Sequence, residues 1–188
     1  PLRPLKTSSS GPLLKCRRVL KGHFGKVYSA FWSSDGKALL SASQDGTLLL
    51  WNPVTTAKQA VIALKSTWVM SCCMLDHGNA TYVASGGLDN LCTIHMVSES
   101  GKAKVVTELA SHDGFISACR FIRGQPAHIL TGSGDATCNY WDVQRGSLIN
   151  TFTGHTSDVM SMEVCPTNTN LFLSGSSDQT AKLYDVRA

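Results

Sequence analysis

Four stretches of the chain share one frame, and that frame limits the fold more than any other feature. From Gly154 to Asp185 the sequence runs Gly-His-Thr-Ser-Asp-Val-Met, then an apolar strand pattern, then Leu171-Phe-Leu-Ser-Gly-Ser-Ser-Asp178 and Ala-Lys-Leu-Tyr184-Asp185. His155, Ser174, Asp178 and Tyr184 stand one period after His112, Thr131, Asp135 and Trp141. An earlier copy has His23, Ser41, Asp45 and Trp51; another keeps Ser85 and Asp89 but has Lys65 and His95 where the histidine and the tryptophan belong. In every copy the aspartate lies four residues after the Ser/Thr and six before the aromatic position. A unit of roughly 40–45 residues is one small sheet that cannot bury its own faces, so copies must stack.

A period with Gly-His near one end and Trp-Asp near the other is the signature of a WD-type propeller blade of four antiparallel strands. The expected fold is therefore an all-β, WD40-type β-propeller with four blades present, reading as a fragment of a seven-bladed ring. The copies run approximately over 16–58, 59–103, 104–146 and 147–188. Histidine and aspartate fall in loops while Ser/Thr and Trp fall inside the blade, so hydrogen bonds from Asp to His to hydroxyl to indole would tie loop to sheet. The structural tetrads are His23, Ser41, Asp45 and Trp51; His112, Thr131, Asp135 and Trp141; and His155, Ser174, Asp178 and Tyr184. Tyr184 offers a hydroxyl in place of the indole, at a different reach. The same residue types make catalytic triads, but a trio that recurs once per blade and ends in an indole argues for structure, and a triad is defined by geometry rather than by residue type. The chain reads as a non-enzyme.

Composition narrows the rest. Of 188 residues, 43% are hydrophobic and only 16% charged, with 17 Lys and Arg against 13 Asp and Glu. The densest basic cluster, Lys15, Arg17, Arg18 and Lys21, has no aromatic platform beside it and reads as a solvated face rather than a nucleic-acid stripe. Seven cysteines (Cys16, Cys72, Cys73, Cys92, Cys119, Cys138, Cys165) are an odd number lying mostly in apolar strand patterns, so they read as buried free thiols of a reducing compartment, with no zinc knuckle. No metal or cofactor is called for. His77 and His128 read as loop residues. No apolar run is long enough to span a bilayer and no secretory leader is evident.

In chain order, residues 1–14, with their prolines, serine run and Gly11, predict a disordered or draped segment. Cys16 to Leu20 reads as the outermost strand of a blade whose inner partners lie elsewhere. Then follow Val27 to Trp32, a turn at Ser34-Asp35-Gly36, Ala38 to Ala42, a turn at Asp45-Gly46, and Leu48 to Trp51. The second copy gives Ala60 to Leu64, Val69 to Leu75, Tyr82 to Ser85 and Leu91 to Val97, with Trp68 in the loop ahead of its inner strand. The third gives Val105 to Leu109, Ile116 to Phe121, Ile129 to Gly132 and Cys138 to Trp141, and the fourth begins at Leu148 to Phe152. Cys16 to Leu20 would formally complete the fourth blade, so a closed four-bladed ring is the alternative to a larger one.

Five segments carry a closer resemblance: Leu20-Lys-Gly-His-Phe-Gly-Lys-Val-Tyr28, Ser41-Ala-Ser-Gln-Asp-Gly-Thr47, Ser66-Thr-Trp-Val-Met70, Gly86-Gly-Leu-Asp-Asn90 and Phe152-Thr-Gly-His-Thr-Ser-Asp-Val-Met-Ser161. From about Arg17 to Arg187 the chain resembles the beta subunit of heterotrimeric G proteins, over that family's first four blades. The resemblance implies a non-catalytic platform that holds a GDP-bound alpha subunit and a gamma subunit and, once released with gamma, binds effector proteins. It implies a cytoplasmic protein, peripheral at the inner face of the plasma membrane through lipidated partners, with no nucleic acid bound. The alpha-binding positions it implies are Phe24, Lys26, Tyr28, Gln44, Leu49, Lys58, Trp68, Met70, Leu88, Asn90, Asp113, Asp158 and Met160.

Blade geometry supports part of that set independently. Lys26, Trp68, Phe115 and Asp158 lie three residues after the histidine position, and Tyr28, Met70, Ser117 and Met160 five after, so all surround one end of the ring. Large side chains there suit recognition; Met70 and Met160 read equally as core between blades. The chain departs from the family at Asp113 and Phe24, in two additional residues around Asp76 to Ala80, and in lacking a counterpart of the long N-terminal helix. A WD-repeat scaffold outside G protein signalling, such as an adaptor in ubiquitin transfer or RNA processing, is the alternative.

Overall fold

Alternation and turn chemistry set the elements of the computed structural model, which describes residues 15–122 and 128–188. Fifteen strands form, with no α-helix among the described residues: β1 Val27–Trp32, β2 Leu39–Ser43, β3 Thr47–Trp51, β4 Lys58–Ala63, β5 Val69–His77, β6 Ala80–Gly87, β7 Leu91–Val97, β8 Ala103–Ala110, β9 Ile116–Phe121, β10 His128–Ser133, β11 Cys138–Asp142, β12 Ser147–Phe152, β13 Val159–Val164, β14 Leu171–Ser176 and β15 Ala181–Asp185. They pair antiparallel in chain order into sheets β1–β4, β5–β8, β9–β12 and the three-stranded β13–β15. The four-bladed, all-β propeller arrangement expected from the period is what forms. The expectation for residues 1–14 lies outside the described residues.

Three apolar layers hold the blades face to face. Leu40, Leu48, Leu50 and Ile62 of the first sheet meet Val69, Cys72, Met74 and Val83 of the second. Ala84, Cys92, Ile94 and Leu109 then meet Cys119, Phe121, Ile129 and Trp141, and Leu130, Cys138, Tyr140 and Phe152 meet Val159, Met162, Val164 and Phe172. The middle strands are buried on both faces and read as near-continuous apolar runs, whereas β4, β8 and β12 are mostly exposed. The innermost strands β1, β5, β9 and β13 lie side by side in sequence order. Their shared ends are the ends of the propeller.

Two sequence expectations change. Cys16 to Leu20 forms no strand and pairs with no sheet; instead the Arg18 Nε donates to the Val54 carbonyl at 2.7 Å, laying this segment against the β3–β4 turn. A five-residue run with two arginines gains little by pairing unless a sheet edge is within reach. His77 and His128 are strand-terminal, not loop residues: His77 pairs with Ala80, and His128 stacks on Tyr140 with ring centroids 5.2 Å apart. The two additional residues of the second copy lengthen the β5–β6 hairpin, closed by Gly78-Asn79 with Gly78 at φ +59°. Glycine in the first central position is what a two-residue type II′ turn requires.

Candidate functional site

Two constellations recur at one end of the blades. The first ties loop to sheet. In the first blade the Trp51 Nε1–H donates to the Ser41 Oγ at 2.8 Å, His23 Nε2 lies 2.7 Å from that oxygen, and His23 Nδ1 lies 3.2 Å from an Asp45 carboxylate oxygen. In the third blade Trp141 donates to Thr131 at 2.8 Å, and His112 spans Thr131 at 2.8 Å and Asp135 at 2.7 Å. These directions close only if the hydroxyl donates to Nε2 and Nδ1–H donates to the carboxylate. In the fourth, His155 reaches Ser174 and Asp178, each at 2.7 Å, but the Tyr184 hydroxyl donates to the Thr153 carbonyl at 3.4 Å. The ring stacks on Phe172, and the phenol oxygen does not take the indole nitrogen's place.

Threonines two residues after each aspartate complete the network. Thr47, Thr137 and Thr180 donate backbone N–H and hydroxyl to Oδ1 of Asp45, Asp135 and Asp178, with hydroxyl distances of 2.6, 2.7 and 2.7 Å. Sequence reading missed them, although Asp-x-Thr recurs in the three blades that keep the histidine. Burial pushes the Asp45 carboxyl up, but bonds from the Thr47 hydroxyl, the Phe24 and Thr47 backbone N–H groups and His23 outweigh it and hold the group at about 2. Asp135 is lowered by the same balance, burial opposed by Thr137 and His112. The Thr180 hydroxyl leads in lowering Asp178, against burial and with His155 and the Thr156 N–H. Thr131 and Ser174 are fully buried and Ser41 is 6% exposed. A hydroxyl sealed in this way holds the loops and is closed to substrate.

The second constellation faces outward. Each inner strand carries a β-bulge at the same place: the pairing skips Tyr28 in β1, Met70 in β5, Ser117 in β9 and Met160 in β13. A bulge inserts one unpaired residue and re-aims its side chain. Tyr28 and Met160 are exposed at 41% and 47%, Met70 is half-buried, and Ser117 turns aside to the Gly132 and Val159 carbonyls. Trp68, 41% exposed, stacks on Tyr28 with centroids 6.2 Å apart and planes 24° from parallel. Its backbone sits at φ +63°, where a bulky residue is strained, and its N–H donates to the Gln44 carbonyl at 3.2 Å. Gly87 makes room for it, since a Cβ there would lie 2.3 Å from the Trp68 carbonyl oxygen.

Of the thirteen implied contact positions, Phe24, Lys26, Gln44, Leu88, Asn90, Asp113 and Asp158 share this end in the loops before the inner strands or in the second turn of each blade, around Tyr28, Trp68, Met70 and Met160. Phe24 and Leu88 are exposed, with Lys26 and Asp113 beside them in the open. Two positions fall elsewhere. Leu49 is 2% exposed on β3, opposite Val61, and presents no contact area. Lys58 begins β4 opposite Trp51, its ammonium 5.8 Å from the indole centroid, on the flank of the first blade.

Among the described residues no three His, Cys, Asp or Glu side chains converge as metal ligands, and no helix is long and apolar enough to cross a membrane. Residues 9–188 match the family model described as G protein beta WD-40 repeat protein. A relative from Arabidopsis thaliana, described as guanine nucleotide-binding protein subunit beta, is 42% identical over 184 residues, an alignment covering 93% of this chain and 48% of that protein. The chain spans about half the length of the curated relative it matches. With a match that takes in all four blades and every network described above, the chain belongs to the G protein beta WD-40 repeat family.

Proposed function

We propose that this end of the propeller binds the GDP-loaded alpha subunit of a heterotrimeric G protein, with a gamma subunit as the standing partner, and that after release the same end engages effector proteins. The family's scaffold role supplies the setting, and one observation carries the reading: the stacked Tyr28–Trp68 pair, half-exposed and held at strained or bulged backbone. Rigid aromatic anchors ringed by polar groups are what interface hot spots are made of. Phe24, Met70, Leu88 and Met160 extend the apolar patch; Gln44, Asn90, Asp113 and Asp158 rim it, and Lys26 offers a cation to a carboxylate of the partner. Lys58 is a separate contact on the flank. The protein meets the inner face of the plasma membrane through lipidated partners.

The test is Trp68→Ala in the complete protein with gamma present. Affinity for GDP-loaded alpha, read by titration calorimetry, should weaken by about 2 kcal/mol or more, the size of a hot-spot loss, while the melting temperature moves little. Unchanged affinity in a folded variant removes the assignment.

A further inference from the structure

The second blade keeps both ends of the imidazole cradle and lacks the imidazole. In the other blades the hydroxyl at this register lies 2.7–2.8 Å from one ring nitrogen, and the aspartate 2.7–3.2 Å from the other. Ser85 and Asp89 occupy those registers here. Lys65, in the histidine's place, is swung to the rim, where its 80% exposed side chain pairs with Glu108 at 2.6 Å. A cavity of about 80 Å³ results, lined by Ser85, Gly87, Asp89, Thr93, His95 and Glu108. Since one water needs about 10–15 Å³ by this measure, the space exceeds a single solvent molecule and accommodates a five-membered ring.

A second observation points the same way. His95, in the tryptophan's place, is 5% exposed and lines this cavity. Burial lowers the His95 pKa, so the ring is held neutral, with one N–H donor and one lone pair. The lining thus offers the Ser85 hydroxyl and the Asp89 carboxylate, whose Oδ1 accepts the Leu91 N–H at 3.3 Å as the other aspartates accept the N–H two residues on, to a ligand that carries a donor and an acceptor nitrogen.

We propose that this cavity is a binding site for a neutral imidazole ring, seated between the Ser85 hydroxyl and the Asp89 carboxylate as the protein's own histidines are seated in the other three blades. The ring is either a free small azole or the side chain of a histidine in a partner peptide. The site backs onto the Trp68 loop, since Thr67, Val69, Gly87 and Asp89 all line it.

The probe is imidazole, added to the complete protein at pH 8.5, where imidazole is neutral, and followed by backbone NMR shifts. Saturable shifts are expected at Ser85, Asp89, Thr93 and His95. Lys65→His fills the cavity with an internal imidazole and should abolish binding while raising the melting temperature. Ser85→Ala, which keeps the cavity and removes one bond, should weaken binding about tenfold. A blocked histidine peptide titrated in parallel separates the sources: equal or tighter binding assigns a partner side chain, and binding of imidazole alone assigns a free azole. Absence of saturable shifts, or wild-type affinity in both folded variants, overturns the proposal.

Discussion

Replacing Thr131 with valine isolates the work of one hydroxyl. The exchange keeps the shape and β-branching of a residue in mid-strand, so neither packing nor propensity changes much. What changes is that Trp141 Nε1–H and His112 Nε2, both now 2.8 Å from the Thr131 oxygen, lose their partner at once. Trp141 is 2% exposed and the His112 side chain 1%, so water cannot replace the hydroxyl. Each of the two unpaired groups costs about 1–3 kcal/mol, giving an expected loss of about 2–6 kcal/mol out of the roughly 5–15 kcal/mol that holds a domain together. Ser174→Ala is the internal reference, because the Ser174 oxygen holds His155 but no indole, the Tyr184 hydroxyl donating to the Thr153 carbonyl; its cost should be about half. Urea unfolding followed by circular dichroism measures both. A second mutation, Trp141→Phe, should reduce the cost of Thr131→Val by about 1 kcal/mol or more, since one of the two stranded groups is then gone. If Thr131→Val costs no more than Ser174→Ala, the bridging role assigned to the hydroxyl is wrong.

Three further outcomes are expected. Because Asp45 is held at about 2 and Asp135 is lowered from 3.8, the stability these carboxylates give is complete above their unfolded-state range and is lost as pH falls through their folded values; the melting temperature should drop between about pH 4 and 2, and Asp45→Asn should flatten part of that drop. Ala136 sits at φ +68° where Gly46 occupies the matching turn of the first blade; Ala136→Gly should stabilise by about 0.5 kcal/mol, the relief of a left-handed alanine less the extra freedom of glycine in the unfolded chain, and Gly46→Ala should destabilise; no gain from the first or no loss from the second refutes the strain argument. Iodoacetamide should label Cys16, which is exposed, and Cys165, which bonds at Thr167 lower, before any of the buried thiols, since burial pushes Cys72 and Cys138 up to about 12; native mass spectrometry showing early modification of Cys72 or Cys138 would count against the packing described.

The repeat frame made the inner and middle strands legible because a blade needs the same residues at the same spacing whatever surrounds it. Val27 to Trp32 and Ile116 to Phe121 emerge with those bounds. The bulges at Tyr28, Met70, Ser117 and Met160 were not legible: an extra residue appears only when a strand is registered against its partner, and period-2 reading has no partner. Cys16 to Leu20 misled for a related reason, since a segment at the right offset becomes a strand only where an edge accepts it. Leu49 did carry a warning. Leu48-Leu49-Leu50 is apolar on both faces, the mark of a strand buried on both sides, and a contact position there conflicts with that pattern.

The sheets and the sequence copies are out of phase by one strand. Lys58–Ala63 opens the second copy yet completes the first sheet, Ala103–Ala110 stands in the same relation to the second sheet, and Ser147–Phe152 to the third. The seams between folded units are therefore the segments 64–68, 111–115 and 153–158, the same loops that carry Trp68, Asp113 and Asp158. A whole blade transplanted between relatives brings its neighbour's loop as its junction, so exchanging scaffold and rewriting the end proposed for binding are a single event. A graft cut instead at the 52–57 turn would leave that loop untouched and strand β4 on the wrong ladder.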